Sequence, residues 1–515
     1  MDRKWWTLLA VCTGVFMLLL DITIVNVALP DIQHALKDTL SDLQWVIDAY
    51  ALTLAALLLT AGSIADLTGR RRVFAIGIVV FTLGSALCGA APDATFLALS
   101  RALQGVGGAI MFATSLALLA DAFEPRERGV AFGVFGAVTG IAVAVGPVLG
   151  GAITSTLSWR WIFFVNLPIG VLALAVTLGR IRESRSPRAT RPDWAGFVTF
   201  TAALTGLVYG LIRSEPKGWG SVTVAGSLAM AAVLLAAFVV IELRTRSPML
   251  DLGLLRVPTF DGGLIAAWAI SASIFSLLTY IVLYLQNLLG ASAIQAGLWL
   301  LPLTGAMFLT AGFAGRLTVR VPIRWLIGPG FAILGGGLLL MRGLTPNDSW
   351  THLLAGLTAS GVGAGLINTP LASTAVGVVE PARAGMASGI NSTLRQVGIA
   401  TGVAALGTVL ASQVHDSVIS QLHRGPLAAH AGALAQAINN GTIGQVVNGT
   451  PARLRGLVVH VARTGFVDGL NTILLIGAIV AFCAAALTLT LIRQRDFVGA
   501  QQPPPGPAEA AVLAG

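Results

Sequence analysis

The chain has 515 residues, 55% of them hydrophobic and only 11% charged, with a formal net charge of +9 and a mean hydropathy of +0.83. An average soluble domain carries roughly 25% charged residues, so this composition excludes a soluble globular protein and predicts a polytopic membrane protein. The positive balance does not point to nucleic acid: only three of the 32 basic residues are lysines and most lie in short loops between apolar runs, where membrane topology explains them.

Fourteen stretches are long enough to cross about 30 Å of hydrocarbon: 7–29, 44–66, 73–91, 95–121, 130–152, 159–179, 194–213, 222–243, 260–285, 295–315, 324–341, 350–374, 390–411 and 466–492. The opening "MDRKWW" leads into an apolar run without a small-residue cleavage site, so the first span is expected to be uncleaved. An even number of spans puts both termini on one side. With the N-terminus cytoplasmic, 21 Lys/Arg fall inside, nine outside, and two, Arg101 and Arg395, within spans. That asymmetry predicts cytoplasmic termini. Abundant Ala, Gly and Arg with scarce Lys suggests a GC-rich bacterial genome, hence a bacterial inner membrane. Cys12, Cys88 and Cys483 all fall in expected spans, which argues against a disulfide framework or a cysteine metal site. The histidines of the outer loop 412–465 lack zinc spacing, so no metal is expected. Short Ala- and Val-rich segments of that loop could rest as amphipathic helices on membrane lipids, and 500–515 reads as a disordered tail.

The chain repeats internally. "TAGSIADLTGR" (60–70) matches "TAGFAGRLTVR" (310–320) in six of eleven positions at an offset of 250. "EPRERGVAFG" (124–133) matches "EPARAGMASG" (380–389) in five of ten, and "GVGGA" (105–109) resembles "GVGAG" (361–365), both at an offset of 256. A parallel duplication of a six-helix unit predicts an N-terminal bundle over 1–179, a linker and two inserted helices over 180–259, and a C-terminal bundle over 260–499. Such duplication is the layout of an alternating-access carrier with its site between the halves near mid-membrane.

Several motifs carry a resemblance. "LDITIVNVALP" (20–30), "GSIADLTGRRR" (62–72), "RALQGVGGA" (101–109), "GIAVAVGPVLGG" (140–151) and "WRWIFFVNLPIG" (159–170) stand in order at the appropriate helix ends. Over nearly its whole length the chain resembles the fourteen-helix drug:proton antiporter branch of the major facilitator superfamily. The resemblance implies an all-α membrane fold of two pseudo-symmetric six-helix bundles plus two further helices. It also implies secondary active transport rather than enzyme chemistry, driven by the proton-motive force without a cofactor.

The motifs also have physical readings of their own. Asp21 sits in a lipid-suited run, and a carboxylate there costs several kcal/mol unless paired, hydrated or protonated. Arg101, which cannot lose its proton, shares a face of the fourth span with Gln104, Gly105, Gly108 and Phe112. It is the natural partner of Asp21, or else a static pin on first-span carbonyls. Burial favours the neutral acid and a nearby guanidinium the anion, so Asp21 could titrate as its surroundings alternate. Asp48, nearer the mouth of the second span, is a second proton-coupling candidate. Gly62, Asp66, Gly69, Arg70 and Arg71 form a candidate latch between halves, asymmetric because the repeat carries Arg316 where Asp66 stands. By resemblance the latch stabilises the outward-facing state. The fifth span carries small residues at Gly136, Gly140, Ala144, Pro147 and Gly151, with Gly146 and Gly150 beside them, a stripe that allows close packing. By resemblance its bend seals against proton leak. Asp121, Glu242 and Asp261 are expected to pair with loop arginines.

Substrate contacts are expected from Ser276, Tyr280, Tyr284 and Asn287 on the ninth span, with Ser273 on the same face. Asn26, Gln104, Asn368, Asn391 and Arg395 join them, and helix-to-helix hydrogen bonding is the competing role for each amide. Aromatic walls favour amphipathic or cationic drugs through stacking and cation–π attraction. Protons, such drugs and membrane lipids are the expected partners of a monomer. Export of lipids, siderophores or other neutral metabolites on the same scaffold stays open, since one deep acid suits proton coupling without a cationic substrate.

Overall fold

In the computed structural model the described residues are 2–36, 40–124, 127–185, 193–245, 248–318, 320–422, 430–439 and 443–498. Each of the fourteen expected spans falls on helix. By length and composition alone, ten segments among the described residues are apolar enough to cross a membrane.

The first five spans are single helices, α1 (Arg3–Leu36), α2 (Leu40–Thr68), α3 (Arg70–Gly89), α4 (Ala94–Ala122) and α5 (Arg128–Thr156), and the sixth is split into α6 (Trp161–Phe164) and α7 (Asn166–Arg180). The inserted pair is α8 (Trp194–Lys217) and α9 (Val222–Arg244). In the C-terminal half α10 (Pro258–Ile270) and α11 (Ser276–Leu283) are joined by a π-helical turn. They are followed by α12 (Ala293–Trp299), α13 (Leu301–Leu317), α14 (Arg324–Leu340), α15 (Thr351–Gly377) and α16 (Ala384–Leu422). The short α17 (Ala431–Asn439) and α18 (Ile443–Gly449) precede α19 (Ala452–Leu491). The expected loop 412–465 is therefore largely helical: α16 and α19 run on beyond their spans, and α17 packs its Leu434 and Ile438 against them.

Local chemistry sets the helix limits. Gly69 adopts φ 121°, a conformation that favours glycine, and breaks α2 from α3. Asp93 caps α4 by accepting from the Phe96 amide at 2.8 Å, and Asp193 caps α8 through the Gly196 amide at 2.9 Å.

Large apolar side chains such as Leu99, Val222 and Leu309 face outward. On a soluble protein they would form a liability, whereas beside lipid they are solvated, and association then rests on close packing of small residues. The halves have separate cores, around Phe74, Phe81 and Phe132 in one and Phe331, Leu338 and Leu474 in the other. A further cluster joins Phe197, Phe200 and Phe238 of the inserted pair to Leu59 of α2 and Ile390 of α16, so α8 and α9 brace the seam between halves.

Two seams connect the halves directly. At one, Gly62 of α2 meets Gly385 and Gly389 of α16. At the other, Gly315 of α13 meets Gly129 and Gly133 of α5. Positions 129 and 133 lie 256 residues before 385 and 389, the spacing of the sequence repeat, so the two seams are pseudo-symmetric copies. A methyl group at Gly62, Gly129 or Gly315 would collide with a backbone carbonyl of the other half.

Candidate functional site

Asp21 is about 1% exposed and forms an ion pair with the Arg101 guanidinium. Its Oδ1 also accepts from Gln104 Nε2 at 2.9 Å and from Asn166 Nδ2 at 3.3 Å. Arg101 in turn donates to Gln104 Oε1 at 2.8 Å and to the Val46 carbonyl at 3.1 Å, and lies 4.1 Å from the centre of the Tyr50 ring. Asn166 continues the network to Ser85 Oγ at 3.0 Å, which donates to the Phe163 carbonyl at 2.9 Å. Helices α1, α2, α3, α4 and α7 thus meet at one neutralised charge pair. It sits about 10 Å along α4 from Ala94, at 1.5 Å per residue. Gly105 and Gly108 admit α2 closely enough for the Tyr50 ring to reach the guanidinium.

At the end of the bundle that carries Thr68, Arg70 and Ala122, Asp66 binds across the seam. Its carboxylate accepts from the Gly385 and Met386 amides at 3.0 and 2.9 Å, and from Arg70 Nε and Nη2 at 2.9 and 2.8 Å. These two amides open α16, so an acid of one half satisfies orphan donors and the positive dipole end of a helix in the other. Arg70 adds a bond to the Pro381 carbonyl at 2.6 Å. Arg71 and Arg72 do not cross the seam: their amides reach the Glu183 carboxylate at 3.1 and 3.3 Å, pinning the chain after α7 to the start of α3. Of the residues expected to form a latch, Gly62, Asp66 and Arg70 contact the other half, whereas Gly69 and Arg71 contact only their own.

Behind this closed end lies a central cleft lined by Phe112 and Leu116 of α4, Phe135, Gly136 and Thr139 of α5, Asn368 and Ala372 of α15, and Asn391, Ser392 and Arg395 of α16. Arg395 Nη2 donates to Asn368 Oδ1 at 2.7 Å. Both halves contribute, as the repeat demands.

Other expected site residues lie elsewhere. Gln104 belongs to the Asp21 network rather than to the cleft. Ser276 donates to the Ser271 and Ile399 carbonyls at 2.9 and 3.2 Å, and Tyr280 to the Val403 carbonyl at 2.7 Å, so both tie α10–α11 to α16 inside the C-terminal half. Tyr284 is buried in that core and Asn287 is exposed; none of the four lines the cleft. Asp48 is half-buried on α2. In α5, Gly140 faces Thr304 and Met307 of α13, Gly146 faces Thr23 of α1, Gly151 faces Ile294, and Gly150 is buried. The side chains of Asn26 and Pro147 and the tail 500–515 lie outside the described residues. Asp121 approaches Arg70 at 4.0 Å. Glu242 instead accepts from the Leu250 amide at 3.3 Å, and no arginine pairs with it or with Asp261 among the described residues. Sequence reading missed Asn166, Ser85 and Tyr50. The asparagine stands inside "WRWIFFVNLPIG", and its place in a quoted motif was the available signal.

The Major Facilitator Superfamily profile matches residues 11–403. The chain belongs to the Major Facilitator Superfamily. This superfamily member is 37% identical over 479 residues to the multidrug resistance protein Stp of Mycobacterium tuberculosis (strain ATCC 25618 / H37Rv), covering 91% of this chain and 88% of that protein. It is 33% identical over 520 residues to the tetracenomycin C resistance and export protein of Streptomyces glaucescens, covering 99% and 95%. Among solved structures, the human organic anion transporter MFSD10 (TETRAN) matches with a TM-score of 0.60 at 14% identity, covering 95% of this chain and all of that one, a likeness of fold alone. As a superfamily member with about ten helices apolar enough to cross a membrane among the described residues, the chain is a multi-pass membrane transporter and not an enzyme, and the relatives above are named for resistance and export.

Proposed function

We propose that the protein exports amphipathic drugs in exchange for protons by alternating access, with Asp21 as the proton-binding group. The latch end faces the cytoplasm, following the excess of basic residues there. The observation that supports the reading best is the Asp21 centre: a carboxylate sealed at about 1% exposure and tied to a guanidinium, two amides and, through them, four other helices. Adding a proton removes the counter-charge of Arg101, and a buried guanidinium without its anion is costly. The pair then holds α1 against α4 in one charge state and loosens it in the other. Each change of grip biases the two-state rocking of the halves.

With the latch closed, protons enter from the opposite end, near which the pair lies. Reversal of the rocking opens Asp66 and Arg70 from α16 and gives the cleft to the cytoplasm. Inward proton movement supplies about 2.3 kcal/mol per charge per 100 mV of membrane potential.

Proteoliposomes test this directly. Efflux of an uncharged amphipathic dye, Nile red, driven by an imposed pH gradient should collapse with a protonophore, and Asp21→Asn should reduce it to the protonophore-treated level. Undiminished gradient-driven efflux by Asp21→Asn would remove Asp21 from the coupling step. Lipid transfer indifferent to protonophore would favour a flippase instead.

A further inference from the structure

We propose that the central cleft selects amphipathic molecules bearing an acid or other oxyanion, bound by Arg395 and the Asn368 amide, in preference to cations. The inference rests on the efflux reading and names the substrate class of its cleft.

A guanidinium keeps its proton, so within a membrane bundle it needs an anion or several acceptors. Arg395 lies on α16 about 16 Å from the Ala384 end, near mid-membrane at 1.5 Å per residue. It has the Asn368 oxygen at 2.7 Å and the Phe275 ring centre at 5.9 Å. Among the described residues no carboxylate lies within 4.0 Å of it, and no acidic side chain lines the cleft. The protein has supplied one acceptor where several are needed.

The asparagine sharpens the argument. Because arginine only donates, the Asn368 oxygen must face the guanidinium, which turns the amide NH2 away from it. That nitrogen is buried and has no hydrogen-bond partner. An unpaired buried donor is costly, and an incoming acceptor relieves it. Asn391, Ser392 and Thr139 line the same space. The N-terminal half contributes mostly Phe112, Leu116 and Phe135. One wall is therefore apolar and aromatic, and the other presents a fixed positive charge beside a spare donor. A flat apolar body carrying a carboxylate, phenolate or sulfonate complements both walls. A cation would meet like charge without a counter-ion.

The test uses the purified full-length protein and three probes: 2-naphthoate, its uncharged isostere 2-naphthamide, and Nile red. The wild-type protein should bind the naphthoate at least about tenfold tighter than the amide by calorimetry, since a charge-assisted bond is the stronger one. Arg395→Gln should bring that ratio close to one while leaving naphthamide affinity in place, and Arg395→Lys should restore part of it. Should Arg395→Gln fail to fold, Asn368→Ala carries the test, with naphthoate affinity expected to fall severalfold. Equal affinities for acid and amide in the wild type, or an unchanged ratio in Arg395→Gln, would overturn the proposal. Protonophore-sensitive efflux of uncharged Nile red together with equal affinities would leave proton-coupled efflux standing and sink only the acid preference. A clear acid preference without any gradient-driven flux would do the reverse.

Discussion

Arg101, fully buried, and Arg395, half-buried, are both guanidinium groups inside the bundle, yet the protein surrounds them differently. Arg101 has a carboxylate, a glutamine oxygen, a backbone carbonyl and the face of Tyr50, all within the N-terminal half. Arg395 has one asparagine oxygen and a distant Phe275 ring, and opens onto space shared by both halves. A charge satisfied by its own protein can switch only by changing its partner's protonation. A charge left short of acceptors can be completed from outside. On the proposed reading, proton handling belongs to one half and ligand capture to the junction, and the two sites communicate through rocking of the halves rather than by contact.

The comparison can be broken most forcefully at Arg101. Arg101→Gln leaves the Asp21 carboxylate buried without its cation, which should cost about 3–5 kcal/mol. Thermal unfolding in detergent should show a large drop, and the double variant Asp21→Asn/Arg101→Gln should recover much of it while remaining uncoupled. If the single variant is as stable as the double, the pair is not holding the helices together.

Asp66→Asn should have a smaller effect, because the amide keeps one acceptor but turns a donor toward other donors. Loss of about 2 kcal/mol from the closed latch corresponds to roughly thirtyfold in the closed-to-open ratio. A cysteine at Ser392 in a Cys483→Ser background should then label faster from the latch side. Unaltered labelling would mean that the two glycine seams alone keep that end shut.

Tyr50 offers the smallest and finest test. Its hydroxyl is buried without a hydrogen-bond partner, so Tyr50→Phe should change stability by no more than about 0.5 kcal/mol. Tyr50→Leu removes the aromatic face and should cost about 1–2 kcal/mol more. Equal behaviour of the two variants would show that the ring contributes packing but no cation–π attraction to Arg101.

Much of this architecture was legible because membrane constraints write themselves plainly in sequence. Every expected span is helical, since a lipid-buried backbone must satisfy its own hydrogen bonds. The repeat also aligned Gly129 with Gly385 and Gly133 with Gly389, 256 residues apart, but only the structure showed that these glycines form paired seams, with Gly62 at one and Gly315, three residues past its repeat partner Gly312, at the other. Asp21 with Arg101 followed from the cost of unpaired charge. The ninth span misled: Ser276 and Tyr280 form a polar face at helical spacing, but that face bonds to α16 carbonyls. Periodicity reveals that a helix has a polar side, not whether the neighbour is a ligand or another helix. For the same reason Gln104 reads as a cavity residue and proves to be part of the ion-pair network.

The sequence by itself determined that this chain spans a membrane as a duplicated bundle with a few ionised groups in its interior, because hydropathy and repetition are properties of the linear order. Only the tertiary structure decided which buried charges are already answered and which are not. That depends on distances between helices far apart in the chain: 80 residues separate Asp21 from Arg101, and 27 separate Asn368 from Arg395. Electrostatic satisfaction is a matter of a few ångströms, and no spacing along one helix reports it.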